Sequence, residues 1–210
     1  MMPTLYSGPS CRGLRVGLLG GSFNPAHAGH RAMSLFALKR LALDQVWWLV
    51  SPQNPLKGAV GMASLAARAG DAARVAARHP RLRVLTLESA LGTRYTVDTL
   101  AALGRRFPHT RFIWLMGADN WRGFTRWKRW RDIMKAVPIA VFRRPGYAAG
   151  HGFGRPAQRF DAAFHGAAEA LGLANMKPPA WLVLDNKLNA LSATQIRQQR
   201  KLPHNPSKGT

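Results

Sequence analysis

The chain has few acidic residues and a single cysteine. Its 210 residues include 9 Asp and Glu against 31 Lys and Arg, giving a formal net charge of +22. No two carboxylates form a compact paired motif, which argues against a carboxylate acid–base dyad or a two-metal site built by the protein. Cys11 alone excludes an intrachain disulfide and a multi-cysteine zinc site. The carboxylates are those of Asp44, Asp71, Glu88, Asp98, Asp119, Asp132, Asp161, Glu169 and Asp185.

Long apolar runs are missing as well. No run of about eighteen apolar residues occurs, so the sequence predicts no transmembrane helix. Residues 1–13 lack the basic region and apolar core of a signal peptide. We therefore predict a cytoplasmic protein that makes no use of a membrane. Its predicted parts are a disordered leader at 1–13, one domain at 14–201 and a disordered tail at 202–210.

The excess of positive charge favours anionic partners, because it attracts them over long distances. Nucleic acid, anionic lipid and small phosphorylated molecules all satisfy this condition, and the charge does not choose among them. Nucleic acid is not a favoured partner on the motifs below, but the charge does not exclude it. The sequence gives no oligomeric state.

Strand and helix patterns alternate along the whole chain. Short apolar runs predict strands at 15–19, 46–50, 83–87, 111–116, 139–142 and 181–184. Helices are predicted at 30–43, 64–77, 96–107, 120–135, 157–171 and 192–201. This alternation predicts an α/β fold with a Rossmann-like, doubly wound parallel sheet of five to six strands and helices on both faces. In such folds ligands bind at the carboxyl ends of the strands, where the strand order reverses.

One stretch, GGSFNPAHAGH at residues 20–30, joins the first predicted strand to the first predicted helix. Gly20 and Gly21 leave room for a bulky anion, and the start of a helix offers unpaired N–H groups to receive it. His27 and His30 are three residues apart and share one face of the first turn. Two histidines without a nearby cysteine or carboxylate leave zinc coordination incomplete, so we predict no metal site here.

A second stretch, LSATQIR at residues 191–197, predicts a helix capped by Ser192. Thr194 and Arg197 are three residues apart, so a hydroxyl and a guanidinium point the same way, as a triphosphate requires. Taken alone, this stretch also fits an ordinary capped helix. The G-x-G-x-x-G and G-x-x-x-x-G-K-[ST] motifs of other nucleotide sites are absent from the sequence.

Together the two stretches resemble signatures of the HxGH nucleotidyltransferase superfamily, G-[TS]-F-[DN]-P-x-H-x-G-H and [IL]-S-[SA]-T-x-[IL]-R. Further strings are similar to those of the bacterial nicotinate-nucleotide adenylyltransferase family. They are PQNPLK at 52–57, RYTVDTL at 94–100, Gly117-Ala118-Asp119 followed by Trp127, and RRPGY at 143–147. The resemblance covers the chain from about residue 15 to 200.

The resemblance implies an enzyme that transfers the adenylyl group of ATP to nicotinate mononucleotide, giving deamido-NAD and pyrophosphate. Mg²⁺ is expected on the ATP phosphates, with no metal site of the protein itself. The implied catalytic residues are His27, His30 and Arg197. The implied ATP contacts are Gly20, Gly21, Ser22, Phe23, Asp119, Ser192 and Thr194, and the implied nicotinate-nucleotide contacts are Asn54, Lys57, Thr96 and Trp127.

One position departs from the family pattern, and two alternative functions stay open. Asn24 stands where many relatives carry aspartate, and its neutral side chain keeps it out of the catalytic set. A related nucleotidyltransferase could use another acceptor, such as nicotinamide mononucleotide. A basic RNA-binding protein on the same scaffold is the other alternative, because arginine and tryptophan interleave at 121–131. The spacing of Trp127, Trp130 and Met134 instead predicts the buried stripe of one helix, with one tryptophan that stacks on substrate.

Overall fold

The computed structural model describes residues 11–52, 61–143 and 154–185. Within these ranges seven parallel strands form one sheet in the order β3-β2-β1-β4-β5-β7-β6. The strands are β1 (Arg15–Gly21), β2 (Gln45–Val50), β3 (Leu82–Leu85), β4 (Arg111–Gly117), β5 (Ile139–Arg143), β6 (Phe164–His165) and β7 (Trp181–Asp185). The predicted doubly wound α/β fold is confirmed, with one strand more than the upper end of the predicted range.

Seven α-helices surround the sheet in the described ranges. They are α1 (Ala28–Arg40), α2 (Leu65–Ala76), α3 (Leu87–Ala90), α4 (Thr96–Arg106), α5 (Ala118–Arg122), α6 (Trp130–Ala136) and α7 (Gly154–Arg159). Turns of 3₁₀-helix lie at Phe124–Arg126, Asp161–Ala163 and Ala167–Asn175. None of the helices in these ranges has the length and apolar character needed to cross a membrane.

The strand order reverses beside β1. The chain lays β2 and β3 on one side of β1 and then returns to place β4 on the other side. In open parallel sheets the crevice for a ligand opens at such a reversal, beyond the carboxyl ends of the strands. Here those ends are Gly21 of β1 and Gly117 of β4. The stretch at 20–30 therefore begins at the edge of this crevice.

The central strands are apolar on both faces because helices cover both. Trp48 of β2 belongs to the core on the α1 side, and its neighbour Trp47 belongs to the core on the α4 side. Trp48 is 0% exposed and Trp47 is 4% exposed. This explains why β2 reads as an unbroken apolar run rather than an alternating one.

The single helix predicted at 120–135 is wrong. The chain forms α5, a 3₁₀ turn and α6 instead, with Arg129 in the left-handed region at φ 51°. Trp127 lies between these helices and packs edge-on against Trp114 of β4, with ring centroids 6.1 Å apart. The spacing of Trp127, Trp130 and Met134 fits the buried stripe of a single helix. In the structure the helix is interrupted at Trp127, and this break allows the Trp127 ring to pack on β4.

The helix predicted at 157–171 is also wrong, since α7 ends at Arg159 and the short strand β6 follows. The backbone carbonyl of Phe160 accepts a 2.8 Å hydrogen bond from the Trp181 indole, and the Phe164 ring packs on the same indole at 4.7 Å. These contacts draw the chain down to the sheet edge. The helix predicted at 96–107 begins at Thr96 as expected, with Tyr95 as its N-cap.

The ends of the chain fall mostly outside the described ranges. Residues 1–10 of the predicted leader and the predicted helix at 192–201 cannot be compared with the structure. Within the leader, the Gly13 N–H donates to the His109 carbonyl at 2.8 Å, and the Thr110 hydroxyl donates to the Cys11 carbonyl at 2.7 Å. The chain is therefore already attached to the β4 side of the sheet at Cys11.

Candidate active site

The amino end of α1 is closed by two histidines in a reciprocal capping box. His27 is the N-cap, and its Nδ1 accepts the Gly29 N–H at 3.1 Å. His30 is the third helical residue, and its Nδ1 accepts the His27 N–H at 3.2 Å. Capping boxes ordinarily use Ser or Thr with Glu or Gln for these two bonds. The predicted shared face is confirmed, with the two ring centroids 3.9 Å apart.

These bonds assign the tautomer of each imidazole. A ring nitrogen that accepts an N–H bond carries no proton, so a neutral ring with Nδ1 engaged carries its proton on Nε2. Both neutral rings therefore carry their proton on Nε2 while their Nδ1 atoms complete the cap. Together with the amino end of α1, they make an arrangement that favours an anion.

An aromatic cluster holds this helix start against β2. The Phe23 ring stacks on Trp48 with centroids 5.2 Å apart and lies 4.8 Å from the His30 ring. The Trp48 indole donates to the Ser34 hydroxyl at 2.8 Å, and that hydroxyl donates to the His30 carbonyl at 2.8 Å. His30 is thus fixed through both its ring and its carbonyl. Trp48 and Ser34 carry no functional signal in the sequence, because both look like ordinary core residues.

The loop between β1 and α1 carries local strain. Phe23 has φ 46°, in the left-handed region that costs a residue with a side chain about 1–2 kcal/mol. Stacking of its ring on Trp48 compensates this cost. Gly20 is required by packing, since a Cβ there would lie 2.5 Å from the Trp114 ring. The room that we predicted for an anion at Gly20 is therefore taken by an indole on its Cα side.

The predicted ATP residue Asp119 lies at the next strand end. It belongs to the first turn of α5, directly beyond β4, and is exposed. Its carboxylate folds back over the Cα of Gly117, where a side chain would collide with it. Because β1 and β4 are neighbours, Asp119 and the 20–23 loop lie on the two sides of the reversal crevice.

The structure places the sequence neighbours of two residues predicted to contact the nicotinate nucleotide, Thr96 and Trp127, against each other. Thr96 begins α4, and its neighbour Tyr95 is covered by the Lys128 ammonium, 4.1 Å from the ring centroid. Lys128 directly follows Trp127, whose ring packs on Trp114. The start of α4 and the segment that carries Trp127 are therefore in contact through Tyr95 and Lys128. The other predicted site residues, Asn54, Lys57, Ser192, Thr194 and Arg197, lie outside the described residues.

Asn24 has a tethering role in the structure. Its Nδ2 donates to the Gly61 carbonyl at 3.1 Å, and its Oδ1 accepts the Ala63 N–H at 3.4 Å. Both ends of the amide are thus used to hold the chain ahead of α2. An aspartate could not donate to the Gly61 carbonyl at neutral pH.

Glu88 and Arg68 are buried charged residues that sequence analysis missed. Glu88 of α3 is 6% exposed, and burial raises its pKa to about 7 against an opposing hydrogen bond from Thr99. Its Oε2 has no hydrogen-bond partner in the part of the chain that the structure describes. Arg68 shares the buried face of α2 with Ala72 and Ala76, so a cation in line with an apolar stripe was the signal available in the sequence.

We expect Glu88→Gln to remove a pH dependence of stability. Between its ordinary pKa of 4.5 and its folded pKa of about 7, the native state keeps a proton that the unfolded state has lost. The stabilisation is complete below pH 4.5 and is lost as the pH rises through 7, amounting to about 3 kcal/mol. Glutamine stays neutral, so the variant should match wild type near pH 4.5 and exceed its free energy of unfolding at pH 8.

Urea unfolding at pH 4.5, 6 and 8 measures this difference. Glu169→Gln is the matched control, because Glu169 is exposed and its pKa is lowered by the hydrogen bond with His165. The free energy of unfolding of Glu169→Gln should not rise relative to that of the wild type as the pH increases. A gap between Glu88→Gln and wild type that stays constant from pH 4.5 to pH 8 would contradict the prediction.

Comparisons with known proteins agree on one family. The sequence matches the Cytidylyltransferase-like family over residues 18–199. A probable nicotinate-nucleotide adenylyltransferase of Parvibaculum lavamentivorans is 51% identical over 187 residues, covering 89% of this chain and 92% of the relative. A protein of the same description from Bradyrhizobium sp. is 51% identical over 185 residues, covering 88% and 95% of the two chains.

Solved structures share the architecture at much lower identity. The Plasmodium falciparum nicotinic acid mononucleotide adenylyltransferase complexed with NaAD superposes with a TM-score of 0.64 at 13% identity. The superposition covers 88% of this chain and 83% of that one. At this identity the likeness supports the fold alone.

Proposed function

The chain belongs to the nicotinate-nucleotide adenylyltransferases, within the cytidylyltransferase-like family, and on that premise we propose a direct adenylyl transfer at the amino end of α1. The enzyme transfers the adenylyl group of ATP to nicotinate mononucleotide, which yields deamido-NAD and pyrophosphate. The observation that carries the proposed mechanism is the histidine capping box, with its two Nε2–H donors.

The acceptor needs no protein base. The second pKa of a phosphate monoester is about 6, so the phosphate of nicotinate mononucleotide is largely a dianion at pH 7. One of its oxygens attacks the α-phosphorus of ATP in line with the bond to the β-phosphate. A phosphorus–oxygen bond to the acceptor forms, the bond to the bridging oxygen breaks, and pyrophosphate leaves with the electron pair. No covalent intermediate with the enzyme is formed.

The two histidines stabilise the charge that develops on the α-phosphate and the pyrophosphate. Their rings are oriented by the cap before substrate arrives, so little reorganisation is needed during the reaction. They act as hydrogen-bond donors and keep their protons. The start of α1 adds the partial positive charge of its N–H groups.

Other groups complete the site in this proposal. Arg197, Ser192 and Thr194 would contact the ATP phosphates, and Asn54, Lys57, Thr96 and Trp127 would bind the nicotinate nucleotide. Mg²⁺ would travel on the ATP phosphates and neutralise part of the pyrophosphate charge. The described ranges contain all nine Asp and Glu side chains of the chain. Within these ranges, no group of three or more His, Cys, Asp or Glu side chains is placed to hold a metal ion.

The acceptor itself gives a direct test. Lys57 and the amino end of α4 favour a carboxylate over an amide on the pyridine ring, and a charge-assisted contact is worth about 1.5–3 kcal/mol. We therefore expect kcat/KM to be about 10- to 100-fold higher with nicotinate mononucleotide than with nicotinamide mononucleotide. Pyrophosphate release at saturating ATP measures both values.

Omission of the acceptor is the control for this assay, because it reports hydrolysis of ATP alone. Equal or reversed values for the two acceptors would contradict the preference for the carboxylate. A salt-sensitive RNA shift without pyrophosphate release from either acceptor would favour the RNA-binding alternative.

A further inference from the structure

Arg68 is a buried arginine that binds backbone carbonyls instead of a carboxylate. It lies on α2 and is 2% exposed. Its Nη1 donates to the Ser22 carbonyl at 2.7 Å and the Ser51 carbonyl at 2.8 Å, and its Nη2 donates to the Pro52 carbonyl at 2.8 Å. Its Nε donates to the Ala63 carbonyl at 2.9 Å. In the described ranges, no Asp or Glu forms an ion pair with it.

The packing of α2 does not require a charged side chain at position 68. Ala72 and Ala76 continue the same buried face of α2, and an apolar side chain at position 68 would avoid the desolvation of a guanidinium. Burial also lowers the pKa of the Arg68 guanidinium, because removal from water disfavours its charged form. What the arginine offers in return is a planar fork that binds carbonyls from three separate segments.

The carbonyls bound by Arg68 belong to the loops that leave β1 and β2. These strands are joined just before that point, because the Ser51 N–H donates to the Gly21 carbonyl at 3.0 Å and the Ser51 hydroxyl donates to it at 3.2 Å. The next carbonyl after each strand belongs to Ser22 on the β1 side and to Ser51 on the β2 side. Both carbonyls accept a hydrogen bond from the same Nη1 of Arg68. One side chain thus fixes the relative position of the two strand exits.

The bond to Ser22 also orients the peptide group that follows. In a trans peptide the C=O and the next N–H point in opposite directions. Because the Ser22 carbonyl faces Arg68, the Phe23 N–H points to the other side of the loop. Across the described residues, no backbone carbonyl accepts a hydrogen bond from this N–H. It is therefore a backbone donor held outward within the 20–30 stretch.

We propose that Arg68 is a positioning residue for adenylyl transfer, which holds the Ser22 and Ser51 carbonyls so that the Phe23 N–H faces the ATP phosphates. Arg68 itself does not touch substrate. The inference rests on the proposed function and deepens it, since it names the residue that sets the conformation of the phosphate-binding loop. Its effect should fall on ATP affinity and on turnover together.

Variants at Arg68 and Arg74 test this role. Arg68→Met keeps a long side chain without donors, and Arg68→Lys keeps the charge but loses the fork. We expect kcat/KM for ATP to fall about 100-fold for Arg68→Met and about 10-fold for Arg68→Lys, since small misplacements of reacting groups have effects of that order. Arg74→Met and Arg74→Lys are the controls on the same helix, because the Arg74 side chain is 79% exposed. They should stay within about twofold of wild type, as surface changes do.

Two further measurements separate positioning from folding. Binding of a non-hydrolysable ATP analogue, measured by calorimetry on protein shown to be folded by thermal melting, should weaken in Arg68→Met and stay unchanged in Arg74→Met. In Arg68→Ala, millimolar methylguanidinium should restore part of the activity, whereas methylammonium should not. A purely structural role predicts neither the loss of affinity in the folded variant nor the selective rescue.

Two results would overturn the inference. One is a folded Arg68→Met enzyme with wild-type kcat and wild-type KM for ATP. The other is a loss of activity that matches the unfolded fraction, with normal affinity for the ATP analogue in the folded remainder. If the wild-type protein made no deamido-NAD, the proposed function would fail. The affinity of the Arg68 variants for the ATP analogue would still decide the role of Arg68 in the loop.

Discussion

His30→Ala should lower kcat/KM by about 10²- to 10³-fold, the loss typical of removing one preorganised donor from a developing oxyanion. The same change removes the Nδ1 that accepts the His27 N–H, and with it half of the capping box. We therefore also expect a loss of about 1 kcal/mol in the free energy of unfolding. Steady-state kinetics and urea unfolding of one purified sample measure the two effects.

His30→Gln separates the two effects. Glutamine at the third helical position is an ordinary partner in a capping box, since its side chain reaches back to the N-cap N–H. This variant should recover the stability that alanine loses and remain as slow as His30→Ala. Near-normal turnover in the alanine variant, or recovery of rate as well as stability in the glutamine variant, would remove His30 from the catalytic set.

The strand, loop and helix start at 20–30 could be predicted because its signals are local. Two glycines after an apolar run, and two histidines three residues apart, fix the turn and the shared face without help from the rest of the chain. The reciprocal Nδ1 bonds could not be read in the same way, because they depend on the rotamers of His27 and His30. Those bonds are nevertheless what assigns the proton to Nε2.

The Arg68 contacts could not be predicted from local patterns. They join α2 to carbonyls at Ser22, Ser51, Pro52 and Ala63, which only the folded sheet brings together. In the sequence, this part of the chain reads as an alanine-rich helix with good intrinsic propensity. A single cation among buried alanines gives the position of an interaction but not its partners.

The helices predicted at 120–135 and 157–171, which follow β4 and β5, failed for the same reason: contacts distant in sequence decide the path of the chain there. Arg129 has no local signal for a left-handed conformation, since glycine or asparagine is the usual residue there. The strand β6 has only two residues, too few for any periodicity to appear. In both places aromatic contacts with Trp114 and Trp181, distant in sequence, decide the path of the chain.

Some of the excess Lys and Arg residues lie at the carboxyl ends of helices. Lys39 and Arg40 end α1, and Arg105 and Arg106 end α4, where cations complement the partial negative charge of a helix terminus. Since α1 and α4 begin at the carboxyl edge of the sheet, these cations lie towards the opposite edge. They therefore stabilise the helices rather than bind the phosphates.

Exchanging both histidines for an ordinary capping box gives the most demanding test of the site. In His27→Ser/His30→Gln, serine at the N-cap and glutamine at the third helical position can supply both capping bonds. Stability should stay within about 1 kcal/mol of wild type. Activity should fall by about 10³- to 10⁴-fold, because both Nε2–H donors are lost.

This loss should be smaller than the product of the two single effects. The His27 ring lies 3.9 Å from the His30 ring. The His30 Nδ1 accepts the His27 N–H, and the His27 Nδ1 accepts the N–H of Gly29, the residue before His30. Removing one histidine therefore already disturbs the other. Residues that act as a unit show such non-additive effects. Single-turnover rates for His27→Ser, His30→Gln and the double variant measure the coupling, with urea unfolding of each as the control. A stable double variant that kept activity within tenfold of wild type would mean that the charge on the phosphates is stabilised elsewhere.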